Sequence, residues 1–417
     1  MFVSSLLSLF LIQAPIAIVD ARLEIGDGTV VEKGTVVIDG DRIVAVGASV
    51  RAPAGAAIID GRGKVISPGI IVLNSQLGVV EVGLEHSTVD SSAAGTVNPA
   101  FRAADGFNPW SLRIPVDREE GVTAALVAPQ GGLVGGQSFL VELDGDVVGA
   151  APNIGPPCAM HVRLGSAGAA AAGGARGAAL LRLREIFDDA RFFQRNRAAY
   201  DRADARALSL PRVQLEALLP VLDGKVPMMV EVHRAGDILA LLRFAAEQRM
   251  RVIVAGGAEA WKVAVELQRA QVPVVLMPSE SGAPFSFDAL AARDDNATVL
   301  HQHGVEVLIA SWSTDNGTAR ARQEAGIAVS YGLPHEVAVR GITAGPGLLC
   351  GKKDVGVLSR GARAHVVLWS GDMLETTTVA ERIWVRGRPV IVPSRPRQLL
   401  QRYTATVHAL DAQPATK

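Results

Sequence analysis

Cysteine is nearly absent: the chain has two, Cys158 and Cys350, with no Cys-x-x-Cys pairing. That excludes a disulfide framework and a thiolate zinc site, and it leaves each thiol as a small apolar core residue. An excess of charge of one sign is missing too. The formal net charge is -1 and no Lys/Arg run exceeds a few residues, so the electrostatic footprint that nucleic acid demands does not exist. After the N-terminal segment no apolar run reaches the ~18 residues of a spanning helix, which excludes the membrane as a partner once a leader is removed. There is also no Gly-Lys-Ser/Thr phosphate loop and no Gly-x-Ser-x-Gly nucleophile elbow.

What is present begins with "MFVSSLLSLFLIQAPIA", an apolar stretch of about a dozen residues ending in small ones. Its length suits a secretory leader over residues 1 to 15, and the expected location is therefore secreted or periplasmic. No Lys or Arg precedes the apolar run, so a buried first strand stays open as the other reading. The remaining chain, with 49% hydrophobic and 20% charged residues over a total of 417, can bury one large core and a smaller satellite.

Hydrophobic patterning divides that chain further. Residues 16 to 66 read as short strands with turns, Asp39-Gly40 marking a hairpin between two β-branched runs. Residues 354 to 400 answer with "ARAHVVLWSG" and "ERIWVRGRPVIV", turned at Arg386-Gly387. Together they are expected to form a composite β-sandwich module, followed by a tail over residues 401 to 417. Between them, residues 67 to 353 alternate apolar strands with amphipathic helices. Seven strands stand out: "IIVL", "GVTAALVA", "CAMHVR", "VPMMVEVH", "RVIVAGG", "PVVLMP" and "VEVLIAS". Runs this apolar suit parallel strands buried on both faces, and the α/β alternation predicts a (β/α)8 TIM-like barrel. The Ala/Gly tract at residues 165 to 179 reads either as a mobile lid or as a solvated linker.

Barrels of this kind carry function at the C-terminal ends of their strands. Those ends bring Asn74 and Gln76; Gln130, Gly131, Gly132 and Gln137; Glu231, His233 and Arg234; Glu259; and Asp315 to one rim. Of these, Asn74, Gln76, Gln130, Gly131, Gly132, Gln137, Arg234 and Glu259 are the candidate ligand contacts. His233 and Asp315 are the candidate acid-base pair. Each has a plainer reading. Asn74 and Gln76 can simply fill the rim with hydrogen bonds to neighbouring rim residues, His233 can sit in a polar cluster with Asp315 or Glu259, and glycines 131, 132, 135 and 136 can form a tight turn instead of an anion nest. Asp237 is expected to N-cap the helix "ILALLRFAAEQ", and His301, His303, His335 and His365 lack metal-ligand spacing.

"KVISPGIIVLNSQLG" resembles the first-strand signature of the amidohydrolase superfamily, in which a Pro-Gly turn and an apolar strand lead to a metal-binding His-x-His. More narrowly, "NPWSLRIPVDREEGVTAALVAPQGGLVGGQS", "VHRAGDI", "GGAEAWKVAVEL" and "GVLSRGARAHVVLW" look like the imidazolonepropionase-like amidohydrolases. The resemblance implies hydrolysis of C–N bonds in cyclic amides, with His233 at a family ligand position and Asp315 near the family's last-strand Asp. Departures are as plain as the matches. Asn74 and Gln76 replace the two histidines, Val72 the preceding Asp, and Glu231 stands where relatives often carry another histidine.

A metal in such a site generates hydroxide near neutral pH and polarises the substrate carbonyl, and neutral amides are poor zinc ligands. Two functions follow. The favoured one is a metal-poor pseudoenzyme, with no cofactor, that holds a small molecule or partners another chain, either a second copy or a paralogous amidohydrolase subunit. The other is an active C–N hydrolase with a rearranged zinc site built on His233 and Asp315.

Overall fold

The computed structural model describes residues 14–144, 153–280, 286–311, 320–390 and 393–411. Five strands lead the chain: β1 (Ile16–Glu24), β2 (Val30–Asp39), β3 (Arg42–Gly47), β4 (Ala57–Asp60) and β5 (Val65–Pro68). Eight more form a second sheet: β6 (Ile70–Ser75), β7 (Val122–Val127), β8 (Val134–Glu142), β9 (Asn153–Arg163), β10 (Met228–Val232), β11 (Val252–Gly256), β12 (Val274–Leu276) and β13 (Val307–Ile309). Then β14 (Val366–Trp369), β15 (Ala380–Val385) and β16 (Arg388–Pro389) return to the first sheet. Its order is β16-β15-β14-β5-β1-β2-β3, with β4 on β1. The sheet is continuous and has its own core, including Ile18, Leu23, Ile38, Ile66, Leu368 and Trp384.

The seam between the chain's two ends is the antiparallel pair β5 and β14, with Val366 opposite Pro68 and Trp369 opposite Val65. Local sequence sets the turns. Arg386 and Gly387, both with φ near the left-handed value (50° and 71°), connect β15 to β16, while Gly40 at φ 55° opens the β2–β3 turn. At Gly387 no side chain would fit, because a Cβ would collide with the carbonyl oxygen of Gly40.

The second sheet runs β13-β12-β11-β10-β9-β8-β7-β6. It holds all seven strands expected from the sequence, parallel to one another, and adds an eighth that differs from a regular (β/α)8 repeat. That strand, β8, is antiparallel to both β7 and β9. The result is a nearly closed TIM-like barrel. Helices Ala321–Ser330 and His335–Ile342 contact both β6 and β13, and among the described residues no hydrogen-bonded ladder joins those two strands.

Alternation along the strands sorts the barrel into two cores. Ile71, Leu73, Ala124, Leu126, Met229, Ile253, Val275 and Leu308 fill the interior, where Cys158 and Cys350 also meet as free thiols. Val72, Val127, Val230, Val254 and Val274 face outward onto helix residues such as Phe187, Leu215 and Phe244. This two-faced burial is why the strand sequences read as unbroken apolar runs.

The Ala/Gly tract is neither lid nor linker. Residues Gly165–Ala171 are helical and a second helix, Arg176–Arg195, starts inside the tract. It is fastened at both ends: the Ser166 N–H donates to Asp288 at 2.6 Å, and Arg176 bridges Asp288 and Asp237. Among the described residues no helix is long and apolar enough to cross a membrane. Residues 1 to 13, most of the expected leader, lie outside the described residues.

Candidate functional site

A cavity of about 330 Å³ opens at the C-terminal ends of the strands, lined by Asn74, Gln130, Gly131, His161, Arg163, Glu231, His233 and Glu280 among others. It sits where barrel geometry places function. Asn74 reaches it through a local break in β6. Strict alternation would turn Asn74 outward with Val72, but the register against β7 shifts between Val72 and Ser75 and Asn74 takes φ 52°. Asparagine tolerates that conformation better than most residues. Its Oδ1 is buried in the cavity wall without a hydrogen-bond partner.

Strand β9 contributes two residues that the sequence reading did not single out, His161 and Arg163. Both follow Ala159 at period two on the interior face. The parallel register of β9 and β10 sets Met229 beside His161 and Glu231 beside Arg163. Arg163 pairs with Glu231, Nε to Oε2 at 3.1 Å and Nη2 to Oε1 at 3.4 Å. The His161 Nε2 has no partner. The imidazole lines the cavity, and burial pushes its pKa down to about 4. His161 is therefore neutral at pH 7.

His233 stands just past β10. Its ring packs against Gly256, whose φ of 89° and lack of a side chain make the room: a Cβ there would come within 2.4 Å of the imidazole. Its carbonyl accepts the Glu259 N–H at 2.9 Å. Burial lowers the His233 pKa, with Arg163 acting the same way and Glu231 and Asp288 opposing it. Among the described residues its imidazole has no hydrogen bond or ion pair, so the cluster with Glu259 does not form. Asp315, the expected acid-base partner, lies outside the described residues.

Several candidate contacts serve the scaffold instead. Glu259 is buried and accepts from the Ala235 N–H (3.1 Å) and the Ala291 N–H (3.3 Å), with Lys262 at 3.3 Å. It thereby supplies the capping carboxylate for helix Ala235–Gln248, the role expected of Asp237. Asp237 is within the first turn of that helix and pairs with Arg176 and Arg234. Arg234 is held there and does not line the cavity. Gln137 lies inside β8 and donates to the Pro99 carbonyl at 2.9 Å. Gln76 is buried outside the cavity lining, its carbonyl accepting from Val79 and Val80 as the chain turns away. Gln130 and Gly131 do line the cavity, but Gly132 packs against the Thr96 backbone, and Gly135 and Gly136 belong to β8, so no four-glycine nest exists.

Among the described residues the cavity offers the imidazoles of His161 and His233, but the rest of the donor set does not fit the divalent metal that the resemblance implies. The carboxylate of Glu231 is engaged by a guanidinium, Asn74 offers a neutral oxygen, and Gln76 is outside the cavity lining. Among the described residues no three His, Cys, Asp or Glu side chains are placed to hold a metal ion.

No family model matches the chain. It is 24% identical over 400 residues to the amidohydrolase tasK of Hapsidospora irregularis, an alignment covering 85% of this chain and 40% of that protein. The chain thus spans about two fifths of the length of this curated relative. In fold it is similar to an amidohydrolase from Thermotoga maritima MSB8, with a TM-score of 0.79 and 24% identity, over 90% of this chain and 99% of the other. The chain is thus similar to amidohydrolases in sequence and shares their fold. A triazine hydrolase from Arthobacter aurescens has a similar fold at 18% identity and a TM-score of 0.54, covering 96% of this chain and all (100%) of that one.

Proposed function

We propose that this chain is a metal-poor, imidazolonepropionase-like amidohydrolase barrel that holds a small cyclic amide or related molecule and does not hydrolyse it by a metal route. The observation that supports this reading is the pair of buried, unpartnered polar atoms in the cavity, Asn74 Oδ1 and His161 Nε2. Leaving such atoms unpaired costs roughly 1–3 kcal/mol each, so they are apt for a ligand's polar groups. An amide presents an N–H donor and a carbonyl acceptor together. Protein purified without added metal is expected to contain well under one equivalent of zinc, manganese or iron by elemental analysis. Stoichiometric metal, together with lactam hydrolysis abolished by a chelator, would refute the reading.

A second reading keeps catalysis. Among the described residues the His233 imidazole has no hydrogen bond in the cavity wall, and burial lowers its pKa toward the neutral form that a general base needs. With Asp315 it would activate water directly or, in a rearranged site, join a zinc set. Hydrolysis that His233→Gln abolishes is its required signature; an unaffected rate removes it.

Export is also part of the proposal, with residues 1 to 15 as leader. Support comes from β1, which is already paired at Ile16 and buried at Ala17 and Ile18, so a mature chain starting between Pro15 and Val19 keeps most of the strand. Mass spectrometry of the native protein should find that N-terminus, and Met1 retained would overturn it.

A further inference from the structure

We propose that Arg163 is this chain's resident cation: held by Glu231, its guanidinium takes the electrostatic place of the superfamily's divalent ion and closes the cavity to metal. This rests on the metal-poor reading above and names what enforces it.

Three observations carry the inference. First, Arg163 is on the interior face of β9 and in the cavity wall, side by side with Glu231 through the parallel register of β9 and β10. The pair is therefore fixed by backbone pairing and not by a flexible loop. Second, Glu231 occupies a position where, by resemblance, relatives carry a histidine, and both of its oxygens face the guanidinium at 3.1 and 3.4 Å. The carboxylate already has a cationic neighbour before any metal arrives. Third, the remaining cavity nitrogens, His161 Nε2 and the His233 imidazole, have no hydrogen-bond partner among the described residues, and imidazole is a common metal ligand. Donor atoms of the right kind thus exist, and the element that opposes a dication is the permanent positive charge of Arg163 in the same cavity wall.

Loss of the first-strand histidines alone does not then explain metal exclusion, and restoring them should not reverse it. A second consequence concerns the ligand. Arg163 has five N–H donors, of which only Nη2 donates to Glu231; Nε lies 3.1 Å from Oε2 without a hydrogen bond. The Nη1 group is left for an oxygen of the bound molecule, the role a metal plays toward a carbonyl oxygen.

The test is a titration with zinc ion alone, followed by calorimetry and by elemental analysis after gel filtration, on four forms of the full chain. These are the unmodified protein, Asn74→His with Gln76→His, the same double change with Arg163→Met, and the double change with Arg163→Lys. Thermal melting verifies that each is folded. The unmodified protein and the double variant should both stay far below one equivalent. Adding Arg163→Met should bring uptake to about one equivalent, at an affinity at least roughly tenfold above that of the double variant. Arg163→Lys keeps the charge and should keep zinc out. Zinc uptake by the double variant with Arg163 intact overturns the proposal, as does uptake in the Lys form equal to that in the Met form. A folded Met form that remains metal-free also overturns it while leaving the metal-poor reading standing. Stoichiometric metal in the unmodified protein, by contrast, sinks the metal-poor reading itself.

Discussion

Gly256→Ala should lower stability by roughly 2–5 kcal/mol and turn His233 out of the cavity. The backbone supplies part of that cost, because φ at Gly256 is 89° and an L-residue held there is strained by about 1–2 kcal/mol. The collision supplies the rest. A methyl group at this position meets the His233 ring at 2.4 to 2.9 Å, below any real contact, so the ring must shift to make room. Gly224→Ala separates the two contributions: its φ is 69° and nothing lies within 4 Å of the added carbon. That control should lose only about 1 kcal/mol. Chemical denaturation of both variants measures the difference, and NMR of the imidazole C–H resonances reports whether His233 has moved. Equal losses in the two variants would mean that ring and glycine are not packed as described.

The outline of this molecule was legible for a specific reason. Parallel strands buried on both faces leave long apolar runs, and all seven such runs are barrel strands, from Ile70–Ser75 to Val307–Ile309. Strand β8 was missed because "VGGQSFLVE" opens with two glycines, a turn signal, and because pairing against both neighbours in the reverse direction is a tertiary fact. Composition misled at residues 165 to 179. Alanine and glycine are together compatible with disorder, yet the tract folds into helices because Arg176 and Ser166 find the carboxylate of Asp288, more than a hundred residues away in sequence. The site shows the same division. That Asn74 and His233 lie at strand ends follows from the pattern; that Asn74 points into the cavity follows from a register shift no pattern reveals. His161 and Arg163 did carry a signal, since polar residues alternating at the end of an apolar strand mark the interior face of a rim. Glu259 carried none: its carboxylate is used up on the N–H groups of Ala235 and Ala291, which only the folded chain brings together.

His161 should make stability fall as pH drops from about 6.5 to about 4, and the effect should be visible only by difference. Its folded pKa, pushed down to about 4 by burial, is below the value of an exposed histidine. Below pH 6.5 the unfolded chain takes up a proton that the folded chain refuses, so the folded state loses about 1.4 kcal/mol per unit, up to roughly 3 kcal/mol by pH 4. Above pH 6.5 the contribution is complete and flat. His233, lowered in the same direction, adds to the slope. Asp117 opposes it. That carboxyl is buried, and desolvation raises its pKa to about 7, with Glu120 adding to the rise and Arg113 offsetting part of it. A raised carboxyl pKa favours the folded state at low pH and loses that advantage as pH rises toward 7, so over the same window the two groups nearly cancel. A flat profile of the unmodified protein is therefore no evidence against either. Comparison of the unmodified protein with His161→Gln isolates one side: the variant should gain on the parent by roughly 3 kcal/mol between pH 7 and pH 4. Asp117→Asn should do the reverse, losing ground to the parent as pH falls. Parallel pH profiles for His161→Gln and the parent would show that His161 titrates as an exposed imidazole, and that the cavity wall around it is open to bulk water.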